Sequence, residues 1–469
     1  MPWRVFATCW LVYTAFWTPY IVREHFPAVA LLERGSMNVE RYLAYSDDIF
    51  RGPRGGAYIN NNPGASLTAA LMLLPFRPLL MRVDQWNQQL PRITNPPRGD
   101  GELFRLMLRE GRVYYFLLWA FLTVALVMAP ATAGTAAYLC VRLADAGVAP
   151  MHAAWCALLF GLGTPVLFRA GHLNHNLLVC DAGFVALLLL WDPHNAPLPP
   201  SRAAWAGLLA GYSFLCDYSG AVVVAMTGLY TLWRCAGDWK ILAAFGAGVL
   251  PPVAGLAIYQ AWAFGGSLLP SQHYMPATAP TARGYRGIDW PSPSLAWANF
   301  FDPRFGLFAY CPALLLAFAA PFVRRVRYLV PARETVVLCA YFLMFVVFCA
   351  ANQYSWLQPL TGFRYLVPVV PALALLAMQA AQGLPRWARW TVAAAAIGQS
   401  LIMVASYQNN FPGAVTALWR RGFQLPWMLR LGYAGVHITW VWPVVTFVLV
   451  GSAVAAVWHS SCGRKRLSW

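Results

Sequence analysis

Long apolar runs recur along almost the whole chain, and nothing constrains its fold more. The first occupies residues 5–22. Others follow at 113–141, 153–167, 177–191, 203–215, 220–233, 241–263, 306–323, 335–349, 366–378, 390–405 and 438–458. A segment in hydrocarbon must satisfy its own backbone hydrogen bonds, so each run is expected to be helical. A bilayer core takes about 20 helical residues to cross, so the shorter runs must extend into their flanks or be sheltered by neighbours. The fold class expected is an all-α polytopic membrane protein with about twelve transmembrane helices. Composition agrees, at 59% hydrophobic and 11% charged residues against roughly 45–50% and 25% in soluble domains. A soluble enzyme and a disordered chain are excluded. The ten cysteines show neither CxxC nor Cys/His metal spacing and read as small core residues, not as a disulfide framework. Bulky Trp17, Pro19 and Tyr20 stand where signal cleavage needs small residues, so the first run is expected to remain as a span.

Residues 67–82 are apolar but broken by Pro75, Arg77 and Pro78. A charge at bilayer centre costs about 2.5–3.5 kcal/mol on insertion scales, so this stretch is expected to lie at the surface without crossing. With that choice the short loops 142–152, 192–202, 234–240, 324–333 and 379–389 hold ten basic residues, whereas 168–176, 216–219 and 350–365 hold Arg169 and Arg364 only. By the positive-inside rule the first set is cytoplasmic. Both termini then lie inside, and the long loops 23–112, 264–305 and 406–437 face out from a single membrane-embedded domain, 1–469. No fixed-period repeat is present. Of the 34 basic residues only Lys240 and Lys465 are lysines. Guanidinium forks suit phosphate, although a GC-rich coding bias would give the same count. Basic residues divided between two faces do not form the stripe that nucleic acid requires.

Nine of the seventeen acidic residues lie in loop 23–112. Its local sequences include Ala30-Leu-Leu-Glu-Arg-Gly35 and Asn62-Pro-Gly-Ala-Ser66; Gly171-His-Leu-Asn-His-Asn176 and Gly362-Phe-Arg-Tyr-Leu-Val-Pro368 follow later. One helix, a long acidic outer loop and then a polytopic bundle: with these motifs the chain resembles the GT-C membrane glycosyltransferases, in the protein-mannosyltransferase and aminoarabinose-transferase branch. The resemblance implies a sugar donor carried on polyprenyl phosphate and a glycan, lipid or protein acceptor at the extracytoplasmic face of a bacterial inner membrane. It also implies an acidic residue, often Asp-Glu, just past the first helix, where this chain reads Arg23-Glu24-His25. Relatives commonly place a lysine before the proline, where this chain has Asn62.

Attack by a hydroxyl on an anomeric carbon needs a base beside that hydroxyl, and the departing lipid phosphate needs cationic stabilisation. The candidate bases are Asp48, Glu24 and Asp47; Asp47-Asp48 precedes the glycine turn 51–56, where two adjacent carboxylates suit base and divalent-metal roles. Loop acids and turn caps are the plainer reading. His172 and His175 could touch a carrier phosphate, a sugar hydroxyl or a metal, but lack an evident third ligand. Arg364, with Tyr365, is placed to meet a carrier phosphate or to anchor at the interface. Asn62 is carried as a substrate contact, as is Asp181, an ionisable residue inside a span. No cofactor is required by the sequence, and the glycine turn lacks the Gly-Lys-Ser/Thr of a nucleotide loop. A lipid or oligosaccharide transporter is the alternative function, but the inverted repeats expected of one are absent.

Overall fold

The structure is a computed structural model describing residues 1–92, 102–194, 196–265, 269–304, 306–322, 329–355, 364–406, 411–437 and 439–459. It is mostly helical, at 72%. Among the described residues the sheet is limited to the hairpin Ile49–Arg51 with Ala57–Ile59. Where described, the later apolar runs fall mainly on helical segments. Among the described residues seven helices are long and apolar enough to cross a membrane: Gly64–Gln89, Val113–Asp145, Trp239–Ala263, Ala332–Ala351, Arg364–Ala381, Arg386–Ala405 and Val441–His459. This is compatible with a multi-pass membrane protein. The other apolar helices, including His175–Leu190 and Pro200–Cys216, fall short of that length.

Three expectations change. The first helix is Pro2–Ala15, not 5–22. Pro19 disfavours helical backbone at Thr18, and Thr18 is instead tied to Gly171, whose carbonyl accepts from its N–H at 2.7 Å and its Oγ1 at 2.9 Å. The run at 306–323 is divided into Leu307–Tyr310 and Pro312–Phe322, because Pro312 brings no N–H to continue the first turn. Finally, the stretch 67–82 belongs to a continuous helical path, Gly64–Gln89, whose length and composition would permit a crossing.

Where that path packs bears on its role. Val113–Asp145, at 33 residues, is roughly 50 Å long, against about 30 Å of hydrocarbon. Its turn widens at Val124–Met128, immediately before Pro130, and the Ala125 carbonyl accepts from Trp10 Nε1 at 2.9 Å. Gly64–Gln89 starts against the end of Pro200–Cys216: Asn62 Nδ2 donates to the Phe214 carbonyl at 2.8 Å. A Cβ on Gly64 would lie 2.7 Å from the Leu215 carbonyl oxygen, so only glycine fits. The path finishes beside the beginning of Val113–Asp145, where Asn87 Oδ1 accepts from the Tyr115 N–H at 3.1 Å. Arg112, buried, fastens this outer layer through Glu33 at 2.6 Å and Asp84 at 2.9 Å. It joins His25–Arg34, Arg77–Gln89 and the start of Val113–Thr123.

Candidate functional site

Three short segments meet beside this layer. The Thr18–Gly171 tie holds the segment after the first helix against the turn before His175–Leu190. Asn174 caps that helix, its Oδ1 accepting from the N–H groups of Asn176 at 3.1 Å and Leu177 at 3.2 Å, which fixes His175 and Asn176 in the first turn. Asp47 and Asp48 stand at the foot of the hairpin, whose turn uses Gly55 and Gly56 at positive φ. Between these segments lies a cavity of about 500 Å³, lined by Arg23, Glu24, Asp47, Asp48, Arg169, His172, His175, Asn176 and Arg364, with Tyr20, Tyr45 and Phe26 among its apolar walls.

One wall is a continuous chain of charge. Arg23 pairs with Asp48 and reaches Glu24 at 3.5 Å. Glu24 accepts from Asn61 and meets His175 Nδ1 at 2.6 Å. His175 Nε2 lies 3.5 Å from Asp217. Asn60 Nδ2 donates to Asp48 at 3.0 Å. The Glu24 side chain is 3% exposed, whereas that of Asp48 is 39% exposed, so Glu24 serves the framework and Asp48 is open to a ligand. Burial pushes the Glu24 carboxyl up, but His175 and then Arg23 outweigh it, holding it well below the usual carboxylate range. Asp47 is exposed and, among the described residues, forms no ion pair.

Arg169 and Arg364 supply the cationic part of the lining. Both are buried. Burial, opposed by Tyr310 and reinforced by the like charge of Arg364, pulls Arg169 down to about 9. Both guanidiniums line one cavity, where a phosphate can accept hydrogen bonds from each. Tyr365 does not line the cavity; Arg364 Cζ lies 4.7 Å from its ring centroid and Nη2 donates to its hydroxyl at 3.2 Å, so it positions Arg364. Asn176, also in the lining, has neither side-chain amide atom hydrogen-bonded within the protein. His172 stands edge-on to Tyr20 at 6.2 Å, and burial, then Arg169, pulls its pKa down to about 3.

The cavity thus collects Asp48, Glu24, Asp47, Arg364, His172 and His175. Besides Tyr365, two expected contacts lie outside this lining. Asn62 is buried on the Phe214 carbonyl, closing a helix end, and Asp181 accepts from Thr132 Oγ1 at 2.7 Å inside the bundle. Arg23, Asn61, Arg169, Asn176 and Asp217 join the site without having been singled out for it. Arg169 carries a sequence signal: it is the one charged residue of the short loop 168–176. Among the described residues no three His, Cys, Asp or Glu side chains are arranged to hold a metal ion. No family model, no curated protein and no solved structure matches the chain. Chemically, the cavity offers an accessible carboxylate held by an arginine and an asparagine, together with a pair of buried guanidiniums suited to a phosphate.

Proposed function

We propose that the chain is a membrane glycosyltransferase of the GT-C plan, with about twelve spans, that moves a sugar from a polyprenyl-phosphate carrier to an acceptor at the extracytoplasmic face of a bacterial inner membrane. The observation that carries this reading is the lining of one cavity by both Asp48 and the Arg169–Arg364 pair. Asp48, oriented by Arg23 and Asn60, takes the proton of the acceptor hydroxyl as its oxygen attacks the anomeric carbon. The bond from that carbon to the carrier phosphate breaks, and the departing phosphate carries its charge to Arg169 and Arg364. A single displacement inverts the anomeric centre. Glu24, His175 and Asp217 hold the wall from which Asp48 works.

The test is reconstitution in lipid with carrier-linked sugars, read as formation of a new glycoside. Asp48→Asn is expected to reduce turnover by about 10²–10⁴-fold while donor binding persists; Arg364→Ala is expected chiefly to weaken donor binding. Full turnover by Asp48→Asn would remove the assigned base. Counterflow of carrier lipid across the vesicle membrane with no covalent product would make the protein a transporter instead.

A further inference from the structure

A second large cavity, about 560 Å³, lies between the helices Pro150–Leu162 and Arg386–Ser406 beside the end of Val370–Ala381. Its lining is mainly apolar, but polar groups gather at one end, where Arg386, Arg389 and His152 stand; no carboxylate lines it. Arg386 and Arg389 form no ion pair among the described residues, and the buried Nε of Arg389 has no hydrogen-bond partner. From that end the wall runs to Ile397 on one helix and Leu162 on the other. Eleven residues of helix cover about 16 Å, close to one leaflet's share of a bilayer core, roughly 15 Å. Trp155 and Trp390 meet edge to face at 5.7 Å and both also line the groove.

We propose that this groove binds one anionic phospholipid from the leaflet on the arginine-rich side. Its phosphate sits between Arg386 and Arg389, and its acyl chains follow the apolar wall toward Ile397. Basic pockets between membrane helices recognise anionic headgroups in this way: the chains supply burial, while the charges select the headgroup. The groove is lined by different residues from the Asp48 cavity, so the inference stands apart from the proposed transfer reaction.

The experiment is a titration of the full-length protein in uncharged detergent with phosphatidylglycerol, read by native mass spectrometry. Arg386→Gln with Arg389→Gln should weaken binding about tenfold or more, the loss of charge-assisted hydrogen bonds. Ala393→Phe, which leaves both arginines but fills the groove, should weaken it comparably and serves if the double variant folds poorly. Phosphatidylcholine, with its net-neutral headgroup, should bind at least tenfold more weakly than phosphatidylglycerol. Three results would overturn the proposal: wild-type affinity in both variants, equal binding of phosphatidylcholine, or equally tight binding of glycerol phosphate without chains.

Discussion

Glu24 is almost without solvent contact, 3.5 Å from Arg23 and 2.6 Å from His175, and removing one member of a buried charged set commonly costs about 3–5 kcal/mol. Glu24→Gln should therefore lower the unfolding temperature in detergent at neutral pH. Because the folded-state carboxyl is held below its ordinary value, its contribution is complete above that value and declines as pH falls through the acid range. The deficit of Glu24→Gln should accordingly shrink in acid; a deficit constant down to pH 3 would show that packing, not charge, is lost. Two histidines act in the same direction. Burial, partly offset by Glu24, pulls His25 down from 6.5 to about 4, and His172 falls to about 3. The unfolded chain then binds protons first, so stability is full above about pH 6.5 and falls as pH drops toward 4, by a few kcal/mol in all. His25→Gln with His172→Gln should flatten that part of a stability-against-pH curve, while an unchanged slope would assign it to other groups.

At the scale of elements, the helical path Gly64–Gln89 decides the most. It was legible as apolar and interrupted, and the structure shows it long enough to cross. Yet its start rests on Phe214 and Leu215 while its end meets Tyr115, and the Arg77 Nε donates to the Leu32 carbonyl at 2.7 Å. These contacts favour a path along the outer layer. Single cysteines at Arg54 and Gln88, both exposed, in a background without native cysteines should react with an impermeant thiol reagent from the same side of sealed vesicles. One at Trp387, 73% exposed, should react from the other. Opposite-sided labelling of positions 54 and 88 would make Gly64–Gln89 a span and invert the loop-charge assignment.

For the whole molecule, the chain brings together segments that no local pattern connects. Residues 23–24, 45–48, 169, 172–176 and 364 share one cavity although more than 300 positions separate its ends. Tyr365, Asn62 and Asp181 show the limit of reading residues singly: each has the chemistry of a ligand contact, and each is used to position a neighbour, close a helix end or join two helices.

Hydropathy alone pointed to a mostly helical chain with helices long and apolar enough to cross a bilayer, because an apolar run of that length has one inexpensive way to satisfy its backbone in hydrocarbon. It marked the long apolar helices but not shorter ones such as His25–Arg34, Glu102–Arg109, Pro293–Phe301 and Phe411–Arg421, and the sequence placed nine acids in residues 23–112. Tertiary structure alone decided which acid is open and which is locked, that Arg169 joins Arg364, and that the first helix stops at Ala15. Those outcomes depend on distances of a few ångströms between segments remote in sequence, where burial and a neighbouring charge set what each side chain can do.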